Sequence, residues 1–121
     1  MTVPEQHGLP VRGFDLGLTL DSGQFFRYER RGDAYRLVVR DRVFELRQEG
    51  SRLLYRGVDE DFLIPFLGLD RNPAAARRRL FRHAWMRPAL DCAKGLRILR
   101  QDPWESLVGF LCSAVSNIPR I

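Results

Sequence analysis

The chain has 121 residues, 45% hydrophobic and 29% charged, which suits one ordinary domain with a modest core and excludes a disordered composition. Its net charge of +5 comes from nineteen arginines and a single lysine, Lys94; such a surplus points to an anionic partner and is silent about fold. Cys92 and Cys112 stand twenty residues apart without a His or Cys cluster around them, which excludes the usual zinc spacings and a disulfide framework.

Up to about residue 58 the hydrophobic period is two. In GFDLGLTL, residues Phe14, Leu16, Leu18 and Leu20 alternate with small or polar ones, as in a half-buried strand. Asp21, Ser22 and Gly23 supply turn chemistry, and FFRYER reads as the returning strand. Arg31-Gly32-Asp33 makes the next turn, and AYRLVVR, RVFELRQ and SRLLYRG follow as three more short strands. Five strands with tight connections predict an antiparallel meander, one face packed and the other carrying arginines.

Beyond Gly57 the period lengthens. DEDFLIPFLGL is an apolar helical stretch, acidic at its start and interrupted or kinked at Pro65. NPAAARRRLFRHAW opens with Asn72 as cap and Pro73 at the first helical position; RPALDCAKG is a further short helix closed by Gly95. In QDPWESLVGFLCSAVS, Asp102 caps, Pro103 takes the first turn and Glu105 stands where a capping box places its acid. Trp104, Leu107, Val108, Leu111, Cys112 and Val115 fall at helical spacing, with Phe110 and Ala114 on another side. This helix is apolar nearly all round and is expected to be buried on more than one face.

LTLDSGQFFRY (18–28), GLRILRQDPWESLVGFLCSA (95–114) and the closing SNIPRI (116–121), in that order and spacing, together resemble the N-terminal part of the 8-oxoguanine DNA glycosylase family of helix-hairpin-helix glycosylases. The resemblance implies an α+β fold: an antiparallel sheet domain related to the TATA-binding protein, with packed helices, over residues 1–100. The start of an all-helical catalytic domain would occupy 101–121. It implies removal of 8-oxoguanine from duplex DNA in base-excision repair, with coupled lyase chemistry and no cofactor or metal. The family's hairpin, Schiff-base lysine and catalytic aspartate would lie beyond Ile121, so the chain is expected to be the front portion of a longer enzyme, without a catalytic residue of its own. Such a portion would be a monomer once completed by the helical domain.

The resemblance also assigns site residues. A base swung out of the duplex must be held in a pocket while another group fills its place. Gly23 would offer a backbone carbonyl to the N7 proton that distinguishes oxidised guanine, with Ser22 and Gln24 framing the loop; glycine permits the close approach. The segment Val115-Ser116-Asn117-Ile118-Pro119-Arg120 would enter the minor groove. Asn117 and Arg120 match the family pattern, with Arg120 placed to donate to the orphaned cytosine or a phosphate. Val115 and Ser116 replace the first two residues of the family's Asn run; Val115 is able to wedge apolarly between bases.

Other residues carry less. Lys94, in CAKGLR, lies ahead of the QDP helix with no accompanying aspartate motif and reads as an exposed helix-end lysine. Asp102 and Glu105 read as a cap pair, and His7 and His83 are isolated. ARRRLFRH is able to touch phosphates, though a solvated helix face explains it more simply. Two rival readings remain: an alkylated-purine glycosylase of the same superfamily, favoured by Val115-Ser116, and a non-catalytic basic module that binds DNA or a helical partner. The N-terminus lacks the basic start and apolar core of a signal peptide, and no apolar run approaches the roughly 20 residues of a membrane helix. A soluble protein is expected, cytoplasmic and nucleoid-associated or nuclear, with damaged double-stranded DNA as partner and no membrane.

Overall fold

The alternation in AYRLVVR and RVFELRQ builds the middle of an antiparallel sheet. The computed structural model describes residues 4–114. Five strands, β1 (Gln6–Pro10), β2 (Tyr28–Arg31), β3 (Ala34–Val39), β4 (Arg42–Glu49) and β5 (Arg52–Arg56), pair in the order β1-β5-β4-β3-β2. Register follows burial: Tyr35 pairs with Leu46 and Leu46 with Tyr55, so each strand sends alternate residues to the same face. Leu37, Leu46 and Leu53 are fully buried there. Truncating one of them to Ala costs about 2–5 kcal/mol in cores of this kind. The opposite face carries Arg36 against Glu45 at 3.8 Å and Arg47 against Asp33 at 3.7 Å.

Five helices follow the same logic: α1 (Leu16–Leu20), α2 (Glu60–Phe66), α3 (Ala74–Phe81), α4 (Arg87–Cys92) and α5 (Pro103–Ser113), with a 3₁₀ turn at Ala84–Met86. α2 is capped by Asp59, whose carboxylate accepts from the Phe62 amide, and it buries Leu63 and Phe66 on the sheet. Pro65 stands in its last turn and the helix ends one residue later, so the proline closes the helix instead of bending it. Asn72 accepts from the Ala74 amide at the start of α3. No helix among the described residues is long and apolar enough to cross a membrane.

The stretch GFDLGLTL is a helix and not a strand. Asp15 caps it by accepting from the Leu18 amide at 3.0 Å. Leu16, Thr19 and Leu20 (positions i, i+3 and i+4) are the buried set, so the short run fits a helical turn as well as an alternation. Gln48 fixes the choice: its side-chain oxygen accepts from the Leu16 amide at 2.7 Å, and its nitrogen donates to the Phe14 carbonyl at 2.7 Å. The fifth strand is instead QHGLP, paired with β5 from Gln6↔Arg56 to Pro10↔Arg52 at the sheet edge, where a proline is tolerated. FFRYER is strand only from Tyr28; Phe25 is buried in the core and Phe26 lies half-exposed in the loop before it.

After α4 the chain runs extended through 96–101 without joining the sheet. Its path is set at Gly95, where φ is +89° and a Cβ would meet the Asp15 Cβ at 2.7 Å and the Asp15 nitrogen at 2.8 Å. Gly23 has the same φ, +89°, with nothing within 4 Å of a Cβ. The two positions therefore separate backbone strain from collision. Gly23→Ala is expected to cost about 1–2 kcal/mol, the left-handed strain alone. Gly95→Ala is expected to cost about 3 kcal/mol or more, because backbone must also move. Urea midpoints of the two variants check this; equal losses would contradict it.

Candidate nucleic-acid interface

The loop that carries Gly23 is built by its neighbours' side chains. The Ser22 hydroxyl donates to the Thr19 carbonyl at 2.8 Å. The Gln24 amide nitrogen donates to the Thr19 carbonyl at 3.2 Å and to the Arg97 carbonyl at 2.7 Å, and its side-chain oxygen accepts from the Leu99 amide at 2.9 Å. Gln101 donates in turn to the Gln24 carbonyl. Ser22 and Gln24 thus spend their polar groups on the loop itself. The Gly23 carbonyl receives no hydrogen bond from the described residues. Asp21, at the loop's start, accepts from Tyr28 at 2.8 Å and from Tyr35 at 3.3 Å. Burial, then the hydrogen bond to Asp21, pushes the Tyr28 phenol up to about 12, so both rings stay neutral donors at ordinary pH.

Helix α5 is held at its start by four charged side chains. Asp102 accepts from the Trp104 and Glu105 amides at 2.9 and 3.1 Å. Its second oxygen accepts from Arg40 Nε at 2.6 Å. Glu105 does not close a capping box. Its Oε1 accepts from the Arg40 amide and from Arg27, both at 2.5 Å. Arg40 occupies the first place of the two-residue turn between β3 and β4 with φ of +55°, where a glycine or asparagine is expected. The strained residue is kept there because its amide and its guanidinium both reach the helix start.

The apolar contact of α5 runs through Phe26, whose ring meets Phe110 edge-on at 6.2 Å and lies under Gly109. A Cβ at Gly109 would approach Phe26 to 2.8 Å. Between them opens a groove of about 260 Å³, lined by Phe25, Phe26, Trp104, Val108 and Cys112 among others. The expected burial of α5 on several faces is absent among the described residues: Trp104 is 70% exposed and Leu111 68%. The sheet domain covers only the side that faces Phe26 and the arginines. Val115, Ser116, Asn117 and Arg120, expected to contact DNA, lie outside the described residues; they follow the C-cap of α5 at Ala114.

The family described as "8-oxoguanine DNA glycosylase, N-terminal domain" matches residues 8–107. The chain belongs to this family. It is 44% identical over 48 residues to the N-glycosylase/DNA lyase of Saccharomyces cerevisiae, covering 36% of the chain and 13% of that protein. Its fold matches MBOgg1, solved with a low-affinity DNA ligand, with a TM-score of 0.87 at 30% identity, over 98% of this chain and 44% of that one. It also matches the Clostridium acetobutylicum 8-oxoguanine glycosylase/lyase, solved with double-stranded DNA containing cytosine opposite 8-oxoguanine. There the TM-score is 0.83 at 27% identity, over 98% and 45% of the two chains. The chain therefore spans less than half the length of these solved relatives.

Within this family member the remaining candidates lie apart from the groove. Lys94 is exposed and lines a separate cleft with Arg12 and Asp15. His7 packs against Tyr55 at 5.7 Å, and His83 against Trp85 at 5.8 Å. The residues that the sequence does not announce are Arg40 and Arg27, which act by holding α5. A bulky arginine in a two-residue hairpin is the one available signal.

The acid pair gives a direct check. The Glu105 amide, then Arg40, hold the Asp102 carboxyl below the usual aspartate range. A carboxylate whose pKa folding lowers stabilises fully above its unfolded value, about 3.9, and loses that contribution as pH falls through the folded value. The backbone amide resonances of Trp104 and Glu105 are expected to titrate together with a midpoint below 3.9, and Arg40→Ala is expected to raise that midpoint. A midpoint unmoved by Arg40→Ala would dissociate the turn from the helix.

Proposed function

We propose that residues 1–100 are the sheet domain, and 101–121 the start of the helical domain, of a glycosylase with lyase activity that removes 8-oxoguanine from duplex DNA. The observation that carries the reading is the Gly23 carbonyl, which receives no hydrogen bond from the described residues, on a loop that Gln24 holds in a member of this family. The fold shared with a DNA-bound 8-oxoguanine glycosylase/lyase supports it.

The carbonyl reads one proton. Oxidised guanine carries a hydrogen on N7, which donates to a carbonyl; guanine presents a lone pair there, which the same carbonyl repels. A desolvated donor or acceptor left without a partner costs about 1–3 kcal/mol, so one contact of this kind discriminates by roughly ten- to a hundredfold. Rigidity is essential to that discrimination. The bonds from Gln24 and Ser22 keep the carbonyl from turning to meet guanine. In this reading Val115, Ser116 and Asn117 fill the gap left by the flipped base, and Arg120 donates to the orphaned cytosine. Lys94 takes no part, and the nucleophile belongs to the helical part of the enzyme.

The 121-residue chain alone is expected to release no 8-oxoguanine above background. The direct test joins residues 1–121 to the helical remainder of the Clostridium acetobutylicum enzyme and assays base release. Release of 8-oxoguanine opposite cytosine is expected, with Gly23→Ala lowering it at least tenfold and Arg120→Ala removing the preference for cytosine. A chimera that releases alkylated purines and spares 8-oxoguanine would overturn the reading in favour of the alkylated-purine alternative.

A further inference from the structure

The charge of this protein is concentrated in one segment. Residues 71–90 hold six arginines (Arg71, Arg77, Arg78, Arg79, Arg82 and Arg87) and no acidic residue. The remainder has fourteen basic and fifteen acidic side chains, close to neutral. The whole surplus therefore sits in the segment from Arg71 through α3 to the start of α4.

Two of the six arginines have structural work. Arg77 donates to the Leu90 carbonyl at 2.9 Å and lies 3.6 Å from Asp91, tying α3 to α4. Arg87 donates to the Phe81 carbonyl at 3.0 Å and covers the Phe81 ring at 4.8 Å. Arg78, Arg79 and Arg82 are exposed and meet no carboxylate among the described residues. Arg78 and Arg82 are four apart, a like-charge spacing that destabilises a helix by a few tenths of a kcal/mol. The negative end of the helix offsets part of that repulsion, within its last turn only. α3 has no buried residue, so the helix gains nothing from the core in return. An anion laid along it would relieve the repulsion.

Three residues after Arg82 stands an exposed indole. Trp85 is 76% exposed, more than any other large hydrophobic residue described, with the His83 ring at 5.8 Å. Arginines along a surface with an open aromatic face are the chemistry that binds single strands: the cations take phosphates and the ring stacks on an unpaired base. A duplex keeps its base faces covered and has no use for the indole. We propose that Arg78, Arg79, Arg82 and Trp85 form a binding surface for single-stranded DNA, separate from the Gly23 loop and from the segment after α5. It stands independently of the glycosylase reading.

The test uses the 121-residue chain and a labelled twelve-nucleotide oligothymidylate, followed by fluorescence anisotropy between about 50 and 200 mM salt. Binding at least tenfold tighter than to a duplex of the same length is expected. Replacing Arg78, Arg79 and Arg82 together by Ser is expected to weaken it at least tenfold and to flatten the log–log salt slope by about 2, at roughly 0.7 per phosphate contact on a single strand. Replacing the three by Lys is expected to keep most of the binding, which guards against loss of folding. Trp85→Ala is expected to weaken binding about tenfold with the salt slope unchanged, and Trp85→Phe to restore most of it. Equal affinity for the duplex, wild-type binding by the triple Ser variant, or indifference to Trp85→Ala would each overturn the proposal.

Discussion

The carboxamide of Gln24 joins two parts of the chain that have no other regular pairing. Its nitrogen donates to Thr19 and Arg97, and its oxygen accepts from Leu99. The segment 96–101 forms no strand ladder; side chains of Thr19 and Gln24 meet its Arg97 and Leu99 amides, while its Leu96 and Arg100 amides donate to the Ala93 and Phe66 carbonyls. Arg97 extends the pattern by donating to the carbonyls of Gly68, Arg71, Arg12 and Gly13. The same segment leads directly into α5. The Gln24 carboxamide, with the Thr19 hydroxyl that bridges Gly95 and Arg97, therefore ties the Gly23 loop to the segment that leads into α5.

The four-charge contact then sets the direction of that helix. Arg40 comes from the β3–β4 turn and Arg27 from the residue before β2, Asp102 and Glu105 from the cap and first turn of α5. Surface ion pairs contribute little singly. Here a strained turn, two helix amides and two guanidinium groups converge, and their geometric effect exceeds their energetic one. Phe26 against Phe110 and Gly109 adds the apolar stop.

How much of this is legible in the sequence depends on the range of the interaction. Strands β3, β4 and β5 are visible because their alternation is long and each is bounded by turn residues. Asp102 is visible as a cap because a cap is local, and the acidic start of α2 supplies its cap, Asp59; at α3 the cap position falls on Pro73, one residue after the expected Asn72. GFDLGLTL misleads because five to eight residues of alternating leucines satisfy either period; Gln48, more than thirty residues away, settles it as a helix. QHGLP, with a glycine and a proline, carries no strand signal and is recruited by the edge of β5. At the site, LTLDSGQFFRY makes the Gly23 loop recognisable by resemblance. The contacts that hold it span more than seventy residues and leave no mark in local pattern. Glu105 illustrates the limit: its spacing is that of a capping box, and tertiary structure uses it elsewhere.

The measurement that bears most directly on this account is amide hydrogen exchange at Leu99 and Ser106. Leu99 donates to the Gln24 side chain and Ser106 to the Asp102 carbonyl at the first turn of α5. If Gln24 couples the loop to the helix, both amides exchange slowly in the wild-type chain, and Gln24→Ala releases them together while leaving the β3–β4 amides protected. Retention of slow exchange at Leu99 in that variant, or release of Leu99 without Ser106, would contradict the coupling on which the proposed pocket rests.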